Sequence, residues 1–296
     1  MDPEVEDKYR RAGKITAKAR NYGAELIKEG ASVLEVVTQI EEFILTNHGR
    51  IAFPVNIAID DIAAHFTPAH NDKLVFERGN LVKLDVGVHV DGYIGDSAIT
   101  VEVGTRNWND LIKASSEALA VAVEMIRPGV NLSHLGRSVE QTITSYGFKP
   151  INNLTGHSLE QYRLHAGISI PNVEEYNNSQ VREGDVLAVE PFSTNGAGRV
   201  KGYKKSNIYR FLKEVTVNSP DAQKLQRAII VNRKGLPFSE RWCYRYTKKA
   251  KKVLQKLVSD RGVTMYPILK DVNSGMVAQT EHTVLVTKDG CDILTL

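Results

Sequence analysis

Four acidic residues stand inside apolar, strand-like runs. Asp85 lies in Leu81-Val82-Lys83-Leu84-Asp85-Val86 and Asp96 in Tyr93-Ile94-Gly95-Asp96-Ser97-Ala98, on either side of Asp91-Gly92. Asp-Gly between two β-rich runs is a strong hairpin signal. With Asp91 and Gly92 as the loop, Val90 pairs with Tyr93 and Asp85 with Ala98. Asp96 is then a diagonal neighbour of Asp85 on the same face, about 7–8 Å away by backbone. Two carboxylates on a buried face repel unless a cation or a proton lies between them. A solvent-facing edge pair is the plainer alternative, and the apolar neighbours argue against it. Glu190 closes Val186-Leu187-Ala188-Val189, and Glu281 stands within Val277 to Val286. Such an oxygen-rich cluster, joined by one or two imidazoles, suits a pair of divalent cations. Two cations can share carboxylates and activate a water between them.

The histidines fit less evenly. His157 follows Gly156 in a turn-like context that exposes an imidazole, His165 precedes Ala166-Gly167, and His65 follows Ala63-Ala64. Taken singly, each is more often a packed histidine than a ligand. His48, His70, His89 and His134 read as structural or surface residues, and His282 as a supporting neighbour of Glu281.

The elements that must position these groups recur. Tyr9, Ala12, Ile15, Ala19, Tyr22 and Leu26 have helical spacing, ended by Gly30. Ser32 with Glu35 caps a second helix from Val33 to about Leu45. An extended stretch, residues 52–59, and the strands Leu81 to Val90 and Tyr93 to Val103 follow. Trp108 to Ile126 and Leu132 to Tyr146 again read as helices, stopped by Gly129 and Gly147. Gly30 matches Gly129, and Ile40-Glu41 matches Val139-Glu140, at an offset of 99; Gly79 to Asp85 matches Gly184 to Glu190 at 105. Both halves read helix, helix, strand ending in a carboxylate, which points to a duplicated α/β half with the site at the junction. Met276 to Val286 reads as strand again.

The 296 residues carry a formal charge of +3, at 42% hydrophobic and 25% charged, a globular composition with enough apolar residues for a large core. That charge is unevenly placed. Residues 196–262 hold eighteen Lys or Arg against four acids, a net +14, and the remainder is −11. Residues 221–232 and 239–259 look partly helical, so the stretch reads as a small basic insert. Cys243 and Cys291 are the only cysteines, which fits a reducing compartment. No run of about 18 apolar residues could span a bilayer. The first residues, MDPEVEDKYR, have no signal or transit pattern, so a cytoplasmic location is expected.

Asp85 and Asp96, Gly156-His157, Glu190-Pro191-Phe192 and Gln279-Thr280-Glu281-His282 together resemble the methionine aminopeptidases, metallopeptidases of pita-bread fold. Ala52 to Asn56, Ala63-Ala64-His65, Asn153 to Gly167 and the insert resemble the type 2 members. The short N-terminus resembles their archaeal form. The resemblance spans essentially the whole chain. It implies an α+β fold of two pseudo-twofold duplicated halves with antiparallel sheets, plus a small, mainly helical insert. The catalytic domain would be residues 1–195 and 263–296, and the basic inserted subdomain 196–262. It implies two divalent metal ions (cobalt, manganese, iron or zinc) on Asp85, Asp96, His157, Glu190 and Glu281, with Asp96 and Glu281 bridging. Glu190 would take the proton of a metal-bridging water, whose hydroxide attacks the first peptide bond. His65 and His165 would contact the substrate and its tetrahedral intermediate. Phe53, His65, Leu164, His165, Phe192 and Tyr266 would line the methionine pocket. Thr155 stands where some relatives carry Asn.

The implied activity is removal of N-terminal methionine from nascent chains and peptides with a small second residue. The expected partners are nascent polypeptide N-termini, with the ribosome a further candidate through the basic insert. No membrane is expected, and the enzyme is expected to act as a monomer. Two alternatives share the fold: a proline-specific peptidase with the same metal set, and a non-enzymatic ribosome- or RNA-binding protein, which would lack metal ligands. All five are present here.

Overall fold

Asp2 caps the first helix by accepting from the Glu4 and Val5 amides, and Pro3 occupies the first turn, where a missing N–H costs nothing. The computed structural model describes residues 1–296. The first half comprises α1 (Pro3–Leu26), α2 (Val33–Thr46), β1 (Arg50–Ile51), β2 (Asn56–Ile59), β3 (Ile62–Ala64), β4 (Leu81–Val90) and β5 (Tyr93–Glu102). The second comprises α3 (Asn109–Met125), α4 (Leu132–Ser145), β6 (Lys149–Pro150), β7 (Thr155–Ser158), β8 (Ser169–Pro171), β9 (Val186–Val189) and β10 (Phe192–Thr194). Then come β11 (Val200–Phe211), α5 (Pro220–Arg233), β12 (Phe238–Ser239), α6 (Glu240–Cys243) and α7 (Ala250–Ser259). The chain closes with β13 (Val263–Asp271), β14 (Val277–Gln279), β15 (His282–Val286) and β16 (Cys291–Ile293).

Each helix pair covers one antiparallel sheet. Val36, Ile40 and Ile44 of α2 pack on Val82, Leu84, Val86 and Val88 of β4. Leu119 of α3 and Leu135 and Val139 of α4 pack on Leu187, Val189 and Val284. The alternate residues of β4 and β9 therefore point away from the helices, into the space between the sheets. The Asp91-Gly92 turn has positive φ at both positions, 51° and 93°, as a tight type I′ hairpin requires. Val90 pairs with Tyr93 and Asp85 with Ala98, the register expected from sequence.

The duplication is visible in the hydrogen bonds. Gly30 N–H donates to Phe76 O and Gly129 N–H to Val181 O; Gly79 N–H donates to Val103 O and Gly184 N–H to Val286 O. All four glycines have positive φ. The two halves meet where β5 runs beside the chain from β14 to β15. Thr100 Oγ1 donates to Gln279 O at 2.7 Å and accepts from Gln279 N at 2.8 Å. Thr283 Oγ1 does the same for Asp96 O and N, both at 2.8 Å. Between them Glu281 N–H donates to Ala98 O at 3.0 Å. Threonine hydroxyls thus replace ladder bonds symmetrically about the junction.

Two sequence expectations need correction. Met276 to Val286 is not one strand: β14 pairs with β10 and β15 with β9, in different sheets, and Glu281 stands at the switch. Glu190 stands at the matching break between β9 and β10, where Pro191 lacks the N–H a ladder needs. Asp85, by contrast, lies in mid-strand rather than at a strand end, because β4 continues unbroken to Val90.

Residues from β11 through the start of β13 build their own apolar cluster around Leu225, Phe238, Leu254 and Leu257. They dock on the first half through a buried bidentate pair: Arg241 Nη1 and Nη2 reach the Glu41 carboxylate at 2.6 and 2.5 Å, and Trp242 Nε1 adds a bond at 2.9 Å. Arg233 Nη2 donates to Ile51 O and Ala52 O, each at 3.0 Å.

Replacing Thr283 with Val keeps the shape but leaves the Asp96 N–H and C=O unpartnered across the junction. Each unpaired buried group costs about 1–3 kcal/mol. The Thr283→Val variant is expected to lose about 2–3 kcal/mol in urea unfolding of the metal-free protein.

Candidate metal centre

Asp96 pairs with Gly87, two residues beyond Asp85, so both acids project from the face opposite the helices. His157 on β7 pairs with Ala188, the residue two before Glu190. The hairpin, the two strand switches and β7 therefore converge. His157 Nε2 lies 3.5 Å from Glu190 Oε1 and 3.8 Å from Asp96 Oδ2. One ligand atom each from Asp96, His157 and Glu281 fall within 4.8 Å of one another. All three residues are buried, with 8% exposure or less. Bonds of about 2.0–2.4 Å to one cation span such a spacing.

The electrostatics point the same way. Burial is the first cause that raises all four carboxyls; neighbouring carboxylates add to it at Asp96, Glu190 and Glu281, whereas a hydrogen bond with Asp96 works against it at Asp85. Asp85 is pushed up to about 7. Asp96 rises well above its ordinary value beside Asp85 and Glu190, Glu190 beside Asp85, and Glu281 beside Asp96 and Glu190. Asp85 Oδ1 and Asp96 Oδ1 are buried oxygens with no hydrogen-bond partner. Orphaned carboxylate oxygens facing one another, with a neutral imidazole, are the donor set that hard or borderline divalent cations require. Burial lowers His157 to about 3, so its ring is unprotonated at neutral pH, as a metal-binding imidazole must be.

The imidazoles form a chain. His165, open at the mouth, lies on His157 with ring centroids 4.4 Å apart. His65 Nδ1 lies 3.1 Å from Pro267 O, and its ring meets Tyr266 edge-on at 5.1 Å. A carbonyl can only accept, so Nδ1 carries the proton. Burial holds His65 at about 4, and the neutral ring therefore presents Nε2 as an acceptor. His65 also keeps a left-handed φ of 64°, uncommon outside glycine.

Phe53 lies on the carboxylate face of β4, where a Cβ at Gly87 would strike its ring. Leu164 shares its apolar cluster. Phe192 is buried in a separate cluster with Ala63 and Val277, under the β3–β14 side. The structure thus brings Phe53 and Leu164 together and His65 with Tyr266, while Phe192 backs the site from another layer.

Three supporting residues escaped the sequence reading. Gln279 Nε2 donates to Glu190 Oε2 at 3.3 Å. Thr283 holds the Asp96 backbone. The buried Arg20 donates to Ser97 Oγ at 2.7 Å and to Thr295 O at 3.2 Å, and its charge lowers Glu281 against the other causes. Arg20 stands four residues after Thr16 on the buried face of α1, and a cation at that spacing was the available signal.

Residues 7–288 match the family model of metallopeptidase family M24. The chain is 44% identical over 295 residues to the methionine aminopeptidase of Methanocaldococcus jannaschii, covering 100% of both chains. Its structure is similar to that of a thermophilic Arx1, with a TM-score of 0.85 at 18% identity over 99% of this chain and 91% of the other. It is also similar to methionine aminopeptidase from Thermotoga maritima, with a TM-score of 0.72 at 24% identity over 100% and 98%. These structural likenesses show the fold, the pita-bread arrangement expected from sequence. No helix is long and apolar enough to cross a membrane.

A carboxyl raised in the folded state holds a proton that the unfolded chain releases above about 4. In cation-free protein this contribution therefore falls as pH rises from about 4 through about 7, the Asp85 value. Below 7 protons compete with cations for the same oxygens. Thermal stabilisation by added Mn²⁺ is expected to grow from pH 5 to 8, with proton release in calorimetry. Equal stabilisation at both pH values would contradict the cage.

Proposed function

The chain belongs to metallopeptidase family M24, and from that premise we propose that it is a type 2 methionine aminopeptidase acting through the five-residue cage. It is an enzyme, and it removes methionine from the N-termini of nascent chains and peptides. The observation that carries the detailed reading is the group of buried carboxylates with orphaned oxygens around His157. Asp85, Asp96, His157, Glu190 and Glu281 would hold two divalent ions, with Asp96 and Glu281 shared. Carboxylate and imidazole ligands admit manganese, iron, cobalt or zinc. When bound, such ions lower the pKa of water and polarise a carbonyl.

The chain's own residues supply the rest. Glu190 takes a proton from the attacking water at its carboxylate and returns it to the leaving amine. Gln279 holds that carboxylate in place through Oε2. His165 faces the developing oxyanion, where a preorganised donor is worth most. His65, with Nε2 as acceptor, suits the substrate's peptide N–H. Phe53, His65, Leu164, His165 and Tyr266 would enclose the methionine side chain, with Phe192 behind them in a separate apolar layer. Misfit of one methylene there discriminates by about 1–3 kcal/mol. Crowding beside the second residue selects small side chains.

Residues 1–195 and 263–296 form the catalytic unit in this reading, and 196–262 the basic insert. Every proposed ligand comes from one chain, so the cage needs no second copy, and the enzyme is read as a monomer acting in the cytoplasm. The insert, at +14, is read as docking on ribosomal RNA near emerging chains.

Asp96→Ala is expected to abolish both metal uptake and methionine release; activity without metal would overturn the mechanism. In a panel of Met-Ala, Met-Gly and X-Pro peptides, the first two are cleaved, and cleavage only before proline would overturn the methionine reading. Neutralising Lys248, Lys249, Lys251 and Lys252 is expected to weaken cosedimentation with ribosomes across a salt series. Unchanged binding would remove the insert from that role.

A further inference from the structure

Beside the cage, β11 departs from a regular ladder with β13. From Gly202 to Lys205 it advances three residues against two on β13, and from Lys205 to Tyr209 four against two. Extra residues of this kind leave the ladder and its pairing locally. The bulged segment walls a cavity of about 490 Å³ whose lining includes Tyr203, Lys204, Lys205, Val258, Tyr266 and Pro267. Two of those walls already belong to the site. Tyr266 packs edge-on against His65, and Pro267 O accepts from His65 Nδ1. Tyr266 and Pro267 thus border both this groove and His65.

Its charge is one-sided. Lys204 and Lys205 are exposed and form no ion pair; Lys204 Nζ lies 4.8 Å from the Tyr203 ring centroid. Arg210 stands opposite Thr264 on β13, is exposed, and is likewise unpaired. Asp61 is already held by Lys270 at 2.6 Å. Arg210 also acts on the site, since its charge contributes to lowering His165.

We propose that this groove holds the substrate from its third residue onward, and that Lys204, Lys205 and Arg210 favour acidic side chains there. The inference rests on the peptide-cleaving reading of the cage and adds a specificity beyond the second residue. An extended peptide advances about 3.3–3.6 Å per residue, so three residues cover about 10 Å. Bulged backbone offers such a strand hydrogen-bonding groups, and the two lysines and the arginine read its charge.

The test uses C-terminally amidated methionyl-alanyl peptides that differ only in carrying Asp and Glu, or Lys, at positions three to five. With Mn²⁺-loaded enzyme at low salt, kcat/KM for the acidic peptide is expected to exceed that for the lysine peptide by about three- to tenfold, as a few exposed pairs allow. The gap is expected to close near 0.5 M salt, where screening is strong, and the Lys204→Glu/Lys205→Glu variant is expected to reverse the preference. Equal kcat/KM for both peptides, or a preference unaltered in that variant, would overturn the groove while leaving the aminopeptidase reading intact. Release of methionine from neither peptide would overturn the aminopeptidase reading itself.

Discussion

Buried like charge is the constraint around which the molecule is organised. Asp85, Asp96, Glu190 and Glu281 cannot all ionise in one dry space without positive charge among them. Every large feature of the fold serves to bring them there. The β4–β5 hairpin supplies two acids on one face. The breaks between β9 and β10 and between β14 and β15 supply the other two, at points where the chain changes sheets. β7 adds the imidazole. The helices take the opposite faces, so the apolar core and the polar cage lie on the two sides of the same strands. The core supplies stability, and the cage exploits it by holding groups that water would otherwise separate.

The junction between the halves is built from side chains as much as from backbone. Thr100 and Thr283 each satisfy both peptide groups of a residue on the facing strand. Arg20 closes the same region from behind, linking α1 to Ser97 and to Thr295 near the last strand. The basic insert is fastened separately. Its Arg241 and Trp242 share Glu41 of α2, and Arg233 takes the carbonyls of Ile51 and Ala52, next to Phe53. That segment is thereby tied to the chain beside Phe53, and β13 carries Tyr266 against His65.

Much of this was legible in residue types and spacing. Asp-Gly set the hairpin register because few turns other than type I′ suit it, and that register put Asp85 and Asp96 on one face. Ser32 marked a helix start because its hydroxyl meets the Glu35 amide. Gly79 and Gly184 marked the repeat because both need positive φ. The strand switches at Glu190 and Glu281 were not legible, since apolar runs on both sides look continuous until their partners are known. Nor were Thr283, Gln279 and Arg20, whose roles depend on contacts between distant segments. Phe192 was named for the pocket, but its separate layer is a matter of packing, and spacing along the chain carries no information about it.

The axis relating the halves pairs Thr100 with Thr283, and it equally pairs Asp96 with Gln279. One position holds a carboxylate and its mate an amide that steadies Glu190. A dimer of two identical half-chains could not make that assignment, because any residue placed on one side of its axis would be repeated on the other. Joining the halves in one polypeptide removes that restriction. It allows a symmetric scaffold to enclose a lopsided centre, in which carboxylate, amide and imidazole differ from side to side.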